Sequence, residues 1–131
     1  MKFKLVKLKK SDPIFNSGFI FTNQKIINMN TKTSQTSQDG QKAAKFCAIN
    51  ILAQAKKAAG GDLDKIKKCI KITGFVNSTD NFIDQPKVIN PASELLSSVF
   101  GDDGKHARAA VSTNSLPLGV AVEIDAIFEV L

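Results

Sequence analysis

Apolar residues and lysines alternate from Phe3 to Lys9, Lys10-Ser11-Asp12-Pro13 interrupts the run, and Ile14 to Phe21 is apolar and aromatic again. That pattern predicts a β-hairpin, with a third short strand over Gln24 to Met29. Asn30 to Gln38 is polar and offers nothing to a core, and Thr36-Ser37-Gln38-Asp39 has capping-box spacing. A helix is expected from there to about Ala59. Its apolar stripe is Ala44, Ala48, Ile51, Ala55 and Ala58 or Ala59, and Gly60-Gly61 supplies a left-handed stop. So many alanines imply close packing on a sheet. Lys65 to Val76 alternates again, with Ile66, Lys68, Ile70 and Ile72 on one set, and predicts a strand.

Asp84-Gln85-Pro86 opens a second helix, because proline is tolerated in a first turn, and Val88, Ala92, Leu95, Leu96 and Val99 form its stripe up to Gly101. Pro91 lies inside that stripe, where it removes a backbone donor and crowds the preceding turn. The sequence therefore predicts a kink there or a helix that begins near Asn90. Ala107 to Thr113 reads as a strand holding Arg108, and Pro117 and Gly119 end the loop that follows. In the last strand Val120, Val122, Ile124, Ala126, Phe128 and Val130 alternate with Ala121, Glu123, Asp125, Ile127 and Glu129. One face is wholly apolar and must meet the helices; the other carries three carboxylates and faces solvent or a polar cavity shared with neighbouring chains. The order predicts an α+β fold, a six-stranded mixed sheet with both helices on one face. The uncovered face invites self-association.

At 131 residues the chain has the size of one domain spanning 1–131. No apolar run reaches the roughly 20 residues of a membrane span. The lysine-studded N-terminus lacks the apolar core of a signal peptide, so a cytoplasmic protein is expected. Cys47 and Cys69 are isolated, fit no metal spacing and read as small core residues. The net charge of +6 raises nucleic acid as a partner, but Lys7, Lys42, Lys57, Lys67, Lys87 and Lys105 are scattered, and Tyr and Trp are absent. A solvated lysine surface accounts for the charge better. Arg108 is the single arginine among 18 basic residues. Where lysine serves for plain charge, an arginine marks a place for its planar fork of donors, either as a clamp on a carboxylate or phosphate or as a structural ion pair.

Ala107-Arg108-Ala109-Ala110-Val111, then Leu116-Pro117, then Val120-Ala121-Val122-Glu123-Ile124 resembles the C-terminal signature of the RidA/YjgF family. Gly74-Phe75-Val76-Asn77 with Asp84-Gln85-Pro86-Lys87-Val88-Ile89-Asn90, and the stretch Asp39 to Ala48, resemble a subgroup of that family. The resemblance covers the chain from about Ser17 onward and is strongest after Asp39. It implies a chorismate-mutase-like fold, a homotrimeric barrel and ligand clefts between subunits. It also implies hydrolysis of reactive enamines and imines of the 2-aminoacrylate type to 2-keto acids and ammonia, with no cofactor and no metal. On that resemblance Arg108 clamps the substrate carboxylate, Glu123 positions water, and Asn90, Ser17 and Gly18 line the cleft. Against the family pattern, Phe19 stands for a common glutamine and Ala110 for a frequent cysteine. His106, the one histidine, reads as a surface or turn residue at a strand entrance. A trimer that binds or senses a small carboxylate without turnover is the alternative, and RNA binding or cleavage rests on the charge alone.

Overall fold

The computed structural model describes residues 37–131, together with the backbone of 17–21. The predicted strands at Phe3 to Lys9 and Gln24 to Met29, the start of the one at Ile14 to Phe21, and the polar loop up to Thr36 lie outside the described residues. The elements in chain order are β1 (Ser17–Phe21), α1 (Ser37–Ala58), β2 (Ile66–Asn77), α2 (Gln85–Phe100), β3 (Ala107–Thr113) and β4 (Val122–Val130). Among the described residues the sheet has four strands in the order β1-β4-β2-β3. β4 runs antiparallel to both its neighbours and β3 runs parallel to β2. The sheet is therefore mixed, and α2 is the crossover that a parallel β2–β3 pair requires.

Both helices cover the apolar face of β4, whereas irregularities in β2 bury Ile66, Cys69 and Ile72 and leave Ile70 exposed, against the simple alternation of Lys65 to Val76. Ala44, Ala48, Ile51 and Ala55 of α1 are fully buried, as are Ile72 of β2 and Ile124, Ala126 and Phe128 of β4. Gly60 and Gly61 adopt positive φ. Their N–H groups donate to the carbonyls of Lys57 and Lys56, closing the helix end as a Schellman motif.

The second helix differs from the sequence expectation at one point. It starts at Gln85 with Pro86 in its first turn and runs unbroken through Pro91 to Phe100. A start near Asn90 is therefore excluded. Pro91 cannot donate to the carbonyl of Lys87, four residues back, and the Gln41 side-chain amide on α1 donates to that carbonyl instead, at 3.1 Å. A cross-helix side chain thus replaces the missing backbone donor.

Small residues let α2 approach the sheet closely. A Cβ on Gly74 would stand 2.5 Å from Cδ1 and 2.6 Å from Cγ1 of Ile89. Gly74 is in register with Ala110 on β3, so a glycine and an alanine floor the sheet under the helix. This close seat sets the height of α2 above β3.

Candidate functional site

Register decides which side chains share a face. Arg108 is paired with Ile72, which is buried under the helices, so the guanidinium rises on the helix side at the β3 edge. There its NH1 donates to Asn90 Oδ1 at 2.9 Å and to Ser93 Oγ at 3.3 Å. Asn90 and Ser93 lie three apart on α2 and so present neighbouring side chains. The two hydrogens of NH1 have two acceptors on the helix. Among the described residues no carboxylate pairs with Arg108. Arg108 is exposed, and among the described residues Nε–H and NH2–H have no hydrogen-bond partner; a pair of such donors can hold a carboxylate bidentately.

The polar group extends further than the sequence suggested. His106 is half-buried and bonded at both ring nitrogens, through Nδ1 to the Gly104 carbonyl at 2.6 Å and through Nε2 to Ser93 Oγ at 3.0 Å. It sits at the entrance to β3, as expected, but it is a member of the Arg108 cluster rather than a free surface residue. Ser93 carried no sequence signal: one serine on a helix is common, and only the fold brings it against both partners.

The remaining predicted site residues lie elsewhere in the chain. Glu123 is paired with Phe75 on β2, out of phase with the buried Val122 and Ile124, so it points to the uncovered face. It is thus two strands, about 10 Å, from the β3 edge and on the opposite side of the sheet from Arg108. Ser17 and Gly18 of β1 pair with Glu129 and Phe128, and among the described residues β1 lies three strands and about 14 Å away from β3. Within one chain Arg108 and Asn90 therefore meet, while Glu123, Ser17 and Gly18 do not join them. Linear sequence could not reveal this, because strand order and face are settled by tertiary pairing.

On the uncovered face the carboxylates have separate fates. Glu129 accepts from Lys67 at 2.7 Å, and that carboxylate raises the Lys67 ammonium pKa through the hydrogen bond and its charge. Asp125 accepts the Thr73 backbone N–H at 3.1 Å. Glu123 has no hydrogen bond or ion pair among the described residues. Ile70 and Val111, two-fifths or more exposed, show how much apolar surface lies open in the single chain. Cys47 and Cys69 are buried, as expected of small core residues. Burial pushes both thiols up to about 12, helped at Cys47 by the negative charge of Glu123, so neither is poised as a thiolate. Among the described residues no cluster of His, Cys, Asp and Glu could hold a metal ion, and no helix is long and apolar enough to cross a membrane.

Residues 10–129 match the family model described as "YjgF/chorismate mutase-like, putative endoribonuclease". Protein TCP17 of Trypanosoma cruzi is 48% identical over 97 residues, 73% of this chain. The chain spans 60% of the length of that curated relative. The crystal structure of Atu1372 from Agrobacterium tumefaciens, a protein of unknown function, is 41% identical, covers 96% of this chain and 82% of its own, and superposes with a TM-score of 0.82. TdcF of Escherichia coli, solved with bound serine, shares the fold at 22% identity over 75% of this chain and 70% of its own, with a TM-score of 0.50.

Proposed function

The chain belongs to the RidA/YjgF family, with its chorismate-mutase-like fold, and from that premise we propose that it binds a small 2-imino or 2-keto acid by its carboxylate at Arg108 and hydrolyses the imine to a 2-keto acid and ammonia. The observation that carries this reading is the anchoring of Arg108: NH1 is held by Asn90 and Ser93, and its Nε and NH2 donors have no hydrogen-bond partner among the described residues. An arginine whose orientation is fixed in advance loses little freedom when a carboxylate binds, so more of the bond appears as affinity. The serine held by TdcF is likewise a small molecule with a carboxylate. An imine carbon is already electrophilic, so orientation beside an ordered water supplies much of the rate without a strong nucleophile.

The cleft in this proposal is shared between copies of the chain. Among the described residues, Arg108 and Asn90 stand at the β3 end of the sheet, and Ser17 and Gly18 at the β1 end. A cyclic homotrimer, in which one edge of each copy meets the other edge of the next, joins these half-sites and covers the open apolar face. Glu123 then reaches a cleft only as part of that assembly.

The test couples the protein to enzymatic generation of 2-aminoacrylate and follows ammonia. Wild type accelerates release, Arg108→Ala abolishes the acceleration, and Arg108→Lys loses most of it because a point charge cannot replace the fork. Equal rates for wild type and Arg108→Ala would sink the proposal. One observation supports a second reading, in which the trimer senses the carboxylate without turnover: the Arg108 anchor is complete in one chain while Glu123 is not beside it. Calorimetric binding of 2-ketobutyrate with no turnover would favour that reading.

A further inference from the structure

Two serines of α2 use their hydroxyls differently. A serine inside a helix commonly turns its hydroxyl back onto a carbonyl of the preceding turn, and Ser98 does so, donating to the Leu95 carbonyl at 2.7 Å. Among the described residues Ser93 makes no such bond; its Oγ lies 3.0 Å from Nε2 of His106 and 3.3 Å from NH1 of Arg108. Each role in this chain follows from the one before. The Gly104 carbonyl can only accept, so the proton of the neutral imidazole sits on Nδ1. Nε2 then accepts the Ser93 hydroxyl proton, and the lone pairs of Oγ are left for NH1. The carbonyl that orients the ring is itself held: Gly104 is buried against α2, where a Cβ would collide with the backbone of Leu96 and Ser97.

We propose that His106 is a positioning residue for Arg108: it draws the Ser93 hydroxyl off the helix backbone toward β3 and so supplies the second of the two acceptors that set the plane of the guanidinium. The inference rests on the reading of Arg108 as the carboxylate anchor, and it requires no contact between the ligand and either Ser93 or His106. A single bond from NH1 to Asn90, at 2.9 Å, leaves the guanidinium free to swing about that line, and the second bond, to Ser93, removes the swing. Arg108 is exposed and has no carboxylate partner among the described residues, so these two acceptors carry its orientation. Without His106 the Ser93 hydroxyl turns to the Ile89 carbonyl one turn back, as such serines commonly do, and Oγ leaves NH1. The freed guanidinium must then be ordered each time a carboxylate binds, which costs affinity.

Arg108 is the single arginine, so its Nε–H gives one arginine signal in a nitrogen-15 spectrum, and its order is read without any ligand. His106→Asn keeps a donor for the Gly104 carbonyl but ends short of Ser93, and His106→Phe, a second variant, keeps a flat ring without either nitrogen. In both, and in Ser93→Ala, the heteronuclear NOE at Nε falls from a value near that of the rigid backbone toward that of a free side chain. The calorimetric Kd for 2-ketobutyrate rises by about two- to tenfold, the cost of ordering one long side chain. His106→Gln offers a carbonyl oxygen where Nε2 stood and restores both readings. Adding His106→Asn to Ser93→Ala changes nothing further, because His106 acts only through Ser93. Thermal unfolding by circular dichroism checks that each variant is folded. Wild-type NOE and Kd in the folded His106 variants overturn the positioning role and leave the carboxylate anchor intact. An equal further loss in the Ser93→Ala background also overturns it, since that marks a general disturbance of the turn. A wild-type protein that fails to bind 2-ketobutyrate overturns the carboxylate reading, while the NOE still decides what holds the guanidinium.

Discussion

Replacing Gly74 by alanine tests whether the close seat of α2 on the sheet is what brings Asn90 and Ser93 to Arg108. The added Cβ would lie 2.5 Å and 2.6 Å from two carbons of Ile89. Ordinary carbon contacts are about 3.5–4.0 Å, so helix or side chain must give by about 1 Å. Overpacking of this kind costs about 1–3 kcal/mol. Alanine removes backbone freedom from the unfolded chain, which returns roughly 0.4–1 kcal/mol. The net loss expected is about 0.5–2 kcal/mol, read as a lower urea midpoint at fixed protein concentration. Ile89 precedes Asn90 on the helix, so the same displacement stretches the 3.3 Å bond from Arg108 to Ser93 beyond hydrogen-bond range and weakens 2-ketobutyrate in calorimetry. Ile89→Ala removes all the carbons that the new Cβ meets. In that background Gly74→Ala becomes neutral or stabilising, and the double-mutant coupling falls in the range of about 0.5–3 kcal/mol. If Gly74→Ala lowers the midpoint equally with and without Ile89, the close-contact argument is wrong.

Gln41→Leu leaves the Lys87 carbonyl without its donor and lowers stability by about 0.5–1.5 kcal/mol by urea unfolding. In a Pro91→Ala background the restored backbone N–H takes over that carbonyl and the effect of Gln41→Leu shrinks; additivity would show that the two features are unrelated. Cys47 and Cys69 resist a thiol-specific reagent at pH 8 in the native protein and react only on unfolding, so fast native labelling contradicts their burial. Their folded pKa values of about 12 lie above the ordinary 9.0, so their contribution to stability is full below about pH 9 and is lost as pH rises toward 12. The fall of the urea midpoint between pH 8 and pH 10.5 is therefore shallower in a Cys47→Ala/Cys69→Ala variant than in wild type.

Local physics written into the sequence determined the elements of the described residues. The alanine stripe of α1, the Gly60-Gly61 stop, the proline start of α2 and the strict alternation of β4 each state a period or a backbone preference that a few neighbouring residues enforce, and the structure follows them. The lone arginine among lysines also pointed to Arg108 before any coordinates, because its chemistry differs from the residue the chain otherwise uses for charge.

What surrounds Arg108 was decided by tertiary structure alone. Pro91 reads locally as a break, yet a donor from another helix satisfies the carbonyl it strands, and the helix continues. Ser93 and His106 look ordinary in sequence and join only because β3 pairs parallel to β2 beneath α2. Glu123 and Arg108 look like partners in sequence, yet strand order and pleat put them on opposite faces. Periodicity specifies which residues of one strand share a face, whereas only the packing of distant segments specifies which faces and edges meet.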